Sequence, residues 1–218
     1  MMKVKVGSFV TVLALGFACS LICLNPPAAF AQDYTYMFSR WHPALGSWFG
    51  RAVPIGPCTP GTAGCQLPPE LFMVLNIADD GNFIGNDSLT FGALHTTAHG
   101  RWAPTSRTQI TANYVVLAGG PSSASGSAVT TPFFGAYRMR WLANSVDSDD
   151  MTGFVNVWFF PFVTSSGVAN IDSTTWVPKP DPLADLGTFI TDKNLSQCDP
   201  TKGCVGVFTF KIRRVGCK

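Results

Sequence analysis

Eight runs of strand-forming residues, separated by turn signals, make up most of this 218-residue chain. They are rich in Val, Thr, Phe and Trp, whereas good helix formers are scarce and Glu70 is the only glutamate. Tight-turn signals at Asp79-Asp80-Gly81 and Asp147-Ser148-Asp149-Asp150 join successive runs as hairpins. The sequence therefore predicts an all-β fold with up-and-down connectivity. The runs cover residues 47–55, 71–77, 82–89, 95–102, 109–117, 133–142, 152–162 and 205–215.

The sixth run alternates between two chemically different faces, as a strand of a barrel does. Arg138 and Arg140 share one face, which we expect to be exterior. In the seventh run Phe159 and Phe160 occupy both faces, which indicates that its outer side is covered. The opposite, more apolar face of the sixth run carries Phe133, Gly135, Tyr137, Met139 and Trp141.

A long connection at 164–204 separates the seventh run from the eighth. Connections of this length are uncommon in compact domains and are often lids or binding loops. We expect this one to cover the seventh strand and to act as a lid over one barrel opening. Asp181-Pro182, followed by Leu183, Leu186 and Gly187, predicts a short capped helix within it.

The amino terminus has the pattern of an export signal. Lys3 and Lys5 precede an apolar run at 9–24, and Ala29-Phe30-Ala31 matches a small-x-small cleavage site. We therefore expect a signal peptide at 1–31 and a single mature domain at 32–218, secreted or periplasmic. The apolar run is shorter than the ~20 residues a membrane-spanning helix needs, so no span is expected after cleavage.

The charge balance argues against nucleic acid as a partner. The chain has 15 basic and 13 acidic residues, and removal of Lys3 and Lys5 with the signal leaves 13 of each. Nucleic-acid binding depends on a basic excess that neutralises phosphates. No such excess is present in the mature sequence.

Five cysteines remain after the expected cleavage. Cys58 and Cys65 enclose one turn-rich loop, and Cys198 and Cys204 enclose another, so we predict two local disulfides. Neither spacing fits the paired Cys-x2-Cys pattern of a zinc site. Cys217 is then left free, or joins two chains as a dimer.

Two Gly-x-Trp motifs, Gly46-Ser47-Trp48 and Gly100-Arg101-Trp102, combine with the eight runs and the basic last run into a family resemblance. The chain resembles lipocalin-like (calycin) barrels, and residues 71–162 are similar to uncharacterised exported bacterial proteins of that type. The resemblance implies an eight-stranded antiparallel up-and-down barrel. In that family the tryptophan closes the barrel floor against an arginine, which implies a pair between Trp48 and either Arg213 or Arg214.

His95 and His99 are the first candidates for metal binding or catalysis. In a strand, residues i and i+4 lie about 13 Å apart, too far to ligate one ion together. We therefore predict no metal site and no cofactor. As a weaker alternative, His95, His99 or Tyr137 transfers a proton in a calycin-type isomerase or cyclase.

The remaining informative feature of the sequence is its set of aromatic residues on the more apolar faces of the strands. An eight-stranded barrel is wide enough to hold one small ligand or to be filled by side chains. We predict a lumen that binds a small hydrophobic molecule; the alternatives are the enzyme above and a packed barrel acting as an envelope or interaction protein. The predicted ligand-binding residues are Trp48, Trp102, Tyr114, Tyr137, Met139 and Trp141.

Overall fold

The computed structural model describes residues 41–61, 65, 67–91, 95–119, 135–147, 149–164 and 166–216. The expected export signal and Cys217 lie outside these ranges. Eight strands form a closed barrel in chain order, each antiparallel to the next, and the last pairs with the first. The predicted all-β, up-and-down barrel is confirmed. The strands are β1 (Gly46–Gly56), β2 (Leu71–Ile77), β3 (Asn82–Asp87), β4 (Ala98–Ser106), β5 (Gln109–Ala118), β6 (Gly135–Val146), β7 (Asp150–Pro161) and β8 (Cys204–Arg214).

The third strand is shorter than predicted, and the fourth begins and ends later in the chain than predicted. β3 ends at Asp87, whose carboxylate oxygen accepts backbone hydrogen bonds from Leu89 (2.8 Å) and Thr90 (3.3 Å). This capping interaction turns the chain into a one-turn helix, α1 (Ser88–Phe91). β4 begins at Ala98, and His95 forms only a single bridge, to Ala118.

The two ends of the barrel differ in their connections. At one end, here called the closed end, short turns link β2 to β3, β4 to β5 and β6 to β7. At the other, the open end, lie α1 and the long connections after β1, β5 and β7. Functional side chains in barrels commonly cluster where long loops meet.

Trp48 closes the barrel floor. Its side chain is fully buried, and its indole Nε1 donates to the carbonyl of Ala44 at 2.8 Å. The guanidinium of Arg214 stacks over the ring, 4.4 Å from its centroid, and donates to the carbonyls of Pro43 and Leu45. The expected pairing of Trp48 with a late arginine is therefore present, and the arginine is Arg214.

Trp102, in the second Gly-x-Trp motif, is a second buried tryptophan at this end of the barrel, on β4. Its indole donates to the carbonyl of Ala78 at 2.7 Å, and its ring lies 5.8 Å from that of His42. Gly100 is required because a Cβ there would stand 2.0 Å from the carbonyl oxygen of Asn113 on β5. Both motifs therefore bury a tryptophan at the closed end.

The middle of the barrel is filled by aromatic side chains. The ring of Trp141 lies 4.6 Å from Phe210, 5.6 Å from Phe83 and 6.3 Å from Tyr114, measured between centroids. These rings come from four different strands, so the contact spans the lumen. The rings therefore pack on one another across the lumen and form an aromatic layer in the middle of the barrel.

The long connection from β7 to β8 packs on the outer wall of the barrel. Asn156, fully buried on the outer face of β7, bonds both the carbonyl (2.6 Å) and the amide nitrogen (2.8 Å) of Ile190. Ile190 then packs in a second apolar cluster with Trp158 and Phe160. The predicted cover of the seventh strand is therefore confirmed.

The helix predicted near Asp181 is instead a turn. The Asp181 carboxylate accepts from the amide of Leu183 at 2.7 Å, but no helix follows. Arg138 donates to the carbonyls of residues 182 and 184, and Arg140 donates to that of Gly187 at 2.9 Å. Carbonyls bonded to these arginines are not available to a helix, so the arginines favour the turn over the predicted helix. The two arginines are exterior, as expected.

The two predicted disulfides, Cys58–Cys65 and Cys198–Cys204, are both present. Both lie at the open end. Cys58–Cys65 closes a short loop just after β1, and Cys198–Cys204 closes a short loop that ends at the first residue of β8. Within the described ranges, no helix is long and apolar enough to cross a membrane.

Candidate functional site

A cavity of about 320 Å³ lies inside the barrel at the open end, here called the lumen cavity. This volume falls at the small end of the ~300–1,000 Å³ typical of ligand pockets. It lies between the aromatic layer and the open end of the barrel, and its lining includes Phe208 of β8 and Gly119, which follows β5. The apolar wall includes Leu71, Leu89, Met139, Val157 and Phe208, and the polar side chains are His95 and Tyr137.

A buried carboxylate–imidazole pair, Asp87 and His95, lies at the edge of this cavity. His95 Nε2 lies 3.0 Å from Asp87 Oδ1, and the side chains are only 3% and 8% exposed. The same carboxylate oxygen caps α1, so one atom joins the end of β3, the helix and the segment that leads into β4. Leu89, on that helix, lines the cavity. The pair therefore sets the position of part of the cavity wall.

The hydrogen bonds of His95 fix its protonation. Nδ1 lies 2.8 Å from the carbonyl oxygen of Thr96, which only accepts, so Nδ1 carries a proton. Asp87 Oδ1 already accepts backbone amides, so Nε2 also donates. Burial alone would lower the pKa of His95, but the hydrogen bond and charge of Asp87 outweigh it, and the pKa is raised. Both ring nitrogens are therefore engaged by protein oxygens rather than directed at the cavity.

Tyr137 is the polar side chain with unused hydrogen-bonding capacity in the cavity. Its ring packs on Phe159 at 5.0 Å, but its hydroxyl makes no hydrogen bond within the described residues. Burial raises the pKa of this hydroxyl, so it stays protonated and can donate or accept one bond. A bound molecule with one polar group could use it.

The predicted ligand-binding residues fall into three layers. Tyr137 and Met139 line the lumen cavity. Tyr114 and Trp141 belong to the packed aromatic layer, where burial, and secondly the charge of Asp87, raises the pKa of Tyr114. Trp48 and Trp102 do not line the cavity, because their indoles close the opposite end.

The histidine candidates are also separated. His95 faces the cavity rim, whereas His99 is exposed on the outer face of β4, opposite Ile84 of β3. No group of three or more His, Cys, Asp or Glu side chains within the described ranges is placed to hold a metal ion. The 164–204 connection, predicted as a lid, covers the outer wall of the barrel, and Pro200, Gly203 and Cys204 at its end line a depression at the open end.

Sequence reasoning missed Asp87, Leu67 and Val157 as site residues. Asp87 occurs in a strand-like run, and its role depends on a partner eight positions away. An aspartate directly before Ser88-Leu89-Thr90 is nevertheless a helix-capping signal that was available in the sequence. Leu67 and Val157 reach the cavity from a loop and from β7, and no local pattern marks them.

Comparison of the chain with models of protein families, with curated proteins and with solved structures finds no match. The likeness to lipocalin-like barrels therefore remains a prediction that rests on this sequence. The geometry of the lumen cavity is what supports a functional proposal.

Proposed function

We propose that the protein binds a small, mainly apolar molecule in the lumen cavity. The observation that carries this proposal is a partly open cavity of about 320 Å³ with apolar walls and a tyrosine hydroxyl that makes no hydrogen bond to another described residue. Binding pockets generally combine apolar walls with a few placed polar groups. Apolar burial supplies the affinity, and Tyr137 orients a single polar group of the ligand.

The two alternatives from the sequence fit the site less well. A fully packed barrel does not describe the open end, where the lumen cavity lies. A proton-transfer enzyme needs a base, and both ring nitrogens of His95 are committed to Asp87 and Thr96. Secretion or export to the periplasm is part of the proposal, supported by the two disulfides, which form in oxidising compartments.

A matched pair of substitutions tests the proposal. Val157→Phe fills the lumen cavity, whereas Val74→Phe places the same ring on the exposed outer face of β2. With N-phenyl-1-naphthylamine as a fluorescent apolar probe, we expect Val157→Phe to weaken binding at least tenfold and Val74→Phe to leave it unchanged. Circular dichroism checks that both variants fold. Equal binding by both variants, or no binding by the unmodified protein, contradicts the proposal.

Tyr137→Phe tests the polar contact separately. We expect it to weaken binding of 1-naphthol roughly threefold to tenfold, the effect of one lost hydrogen bond. Binding of 1-methylnaphthalene, which has a similar shape but no hydroxyl, should not change. An equal loss for both probes would mean that Tyr137 acts only through packing.

A further inference from the structure

A second depression, here called the rim groove, lies beside the lumen cavity at the open end. Its volume is about 380 Å³, and it opens to the surface between the two disulfide loops. Pro57 and Cys58 contribute one side, and Pro200, Gly203 and Cys204 contribute the other. The groove thus lies where two short, cross-linked loops meet, and its surface is mainly apolar.

The lumen cavity and the rim groove share two wall residues, Leu67 and Val205. Leu67 is a loop residue, two positions after the disulfide-bonded Cys65, yet it is only 8% exposed. Its side chain fills the place that a side chain at Gly206 would take, since a Cβ there would stand 2.9 Å from Leu67 Cδ2. The two spaces are therefore separated by one side chain from a loop, Leu67, and one from the start of β8, Val205.

An aromatic contact also spans the boundary. Tyr137 lines the lumen cavity, Phe159 lines the rim groove, and their ring centroids are 5.0 Å apart. Val205, the second shared residue, lies beside an irregularity in the pairing of β7 with β8. The apolar surface is therefore continuous from the inside of the barrel to its rim.

We propose that the rim groove is a second subsite for the same ligand, and that Leu67 is the specificity-determining residue between the two. The ligand is a linear amphiphile: its polar end bonds the Tyr137 hydroxyl, and its chain passes Leu67 into the groove. The chain is unbranched, because it must pass between the side chains of Leu67 and Val205, which border both spaces. This inference rests on the proposed binding function of the lumen cavity.

Straight-chain primary alcohols from hexanol to tetradecanol, competing with N-phenyl-1-naphthylamine, test the inference. Each buried methylene tightens binding about fourfold. Pro200→Glu puts a charge into the rim groove at an exposed position, and Ser196→Glu puts the same charge on the exposed connection outside it. We expect Pro200→Glu to bind short alcohols normally and long alcohols at least tenfold more weakly, while Ser196→Glu matches the unmodified protein throughout.

Leu67→Ala provides a second arm, with folding checked by circular dichroism. It should tighten binding of long alcohols relative to short ones, because it removes the barrier between the subsites. If Pro200→Glu and Leu67→Ala change no chain-length dependence while alcohols still bind, the rim groove is not a subsite, and the lumen proposal stands. If neither the probe nor any alcohol binds the unmodified protein, the proposed function fails and this inference fails with it.

Discussion

The buried pair of Asp87 and His95 is predicted to be a major source of stability at the open end. Asp87→Ala removes the carboxylate that accepts from His95 and from the amides of Leu89 and Thr90. Loss of a helix cap costs about 1 kcal/mol, and stranding one partner of a buried ion pair costs about 3–5 kcal/mol. We therefore expect the free energy of unfolding to fall by about 4 kcal/mol at pH 5.5.

The cost should be smaller in alkaline solution. The pKa of His95 is raised in the native protein, so its stabilising contribution is complete below the unfolded value near 6.5 and is lost as the pH rises through the folded value. Without Asp87, burial alone acts on His95, which then loses its proton more easily. At pH 8.5 we expect a cost of about 2 kcal/mol, from the lost cap and hydrogen bond.

Urea unfolding, followed by tryptophan fluorescence and circular dichroism, measures both values. A double-mutant cycle with His95→Leu isolates the interaction, and we expect a coupling energy of about 2 kcal/mol. Asp192→Ala, at an exposed position where the carboxylate makes no hydrogen bond to another described residue, is the control and should cost within about 0.5 kcal/mol. A cost below about 1 kcal/mol for Asp87→Ala at pH 5.5, or simple additivity in the cycle, would refute the reasoning.

Three further predictions concern other parts of the barrel. Trp48→Phe removes the bond to Ala44 and should lower stability by about 1–3 kcal/mol in urea unfolding, whereas Trp41→Phe, at a 90% exposed position, should have no effect. Arg140→Met should release the stretch around Gly187 from the barrel wall and increase proteolysis there, while the barrel keeps its circular dichroism. Burial lowers the pKa of His42, despite its bond to a carbonyl. The contribution of His42 to stability should therefore fall as the pH drops below about 6.5. His42→Gln should reduce that fall, measured as the difference between urea midpoints at pH 5 and pH 7.

The sequence predicted the strands and the closed end because both depend on short-range patterns. Alternation along one strand separates inside from outside, so Arg138 and Arg140 could be placed on the outer wall before any partner was known. The Gly-x-Trp motif likewise contains both the bulky ring and the glycine that lets strands approach. Where a long-range partner intervenes, local patterns fail: Asp87 ends β3 early, and the arginines draw the segment after Asp181 out of a helix.

The cavity could not be predicted for a related reason. Tyr137 and Trp141 occupy the same face of β6, four residues apart, and nothing in their spacing distinguishes them. Trp141 is packed because rings from other strands reach it, among them Phe210 at 4.6 Å. Tyr137 borders the lumen cavity, whose wall near Gly206 of β8 is completed by Leu67, a side chain from a loop. Lumen volume is therefore a property of all the strands and loops together, and a substitution in a loop can change binding as much as one in the barrel wall.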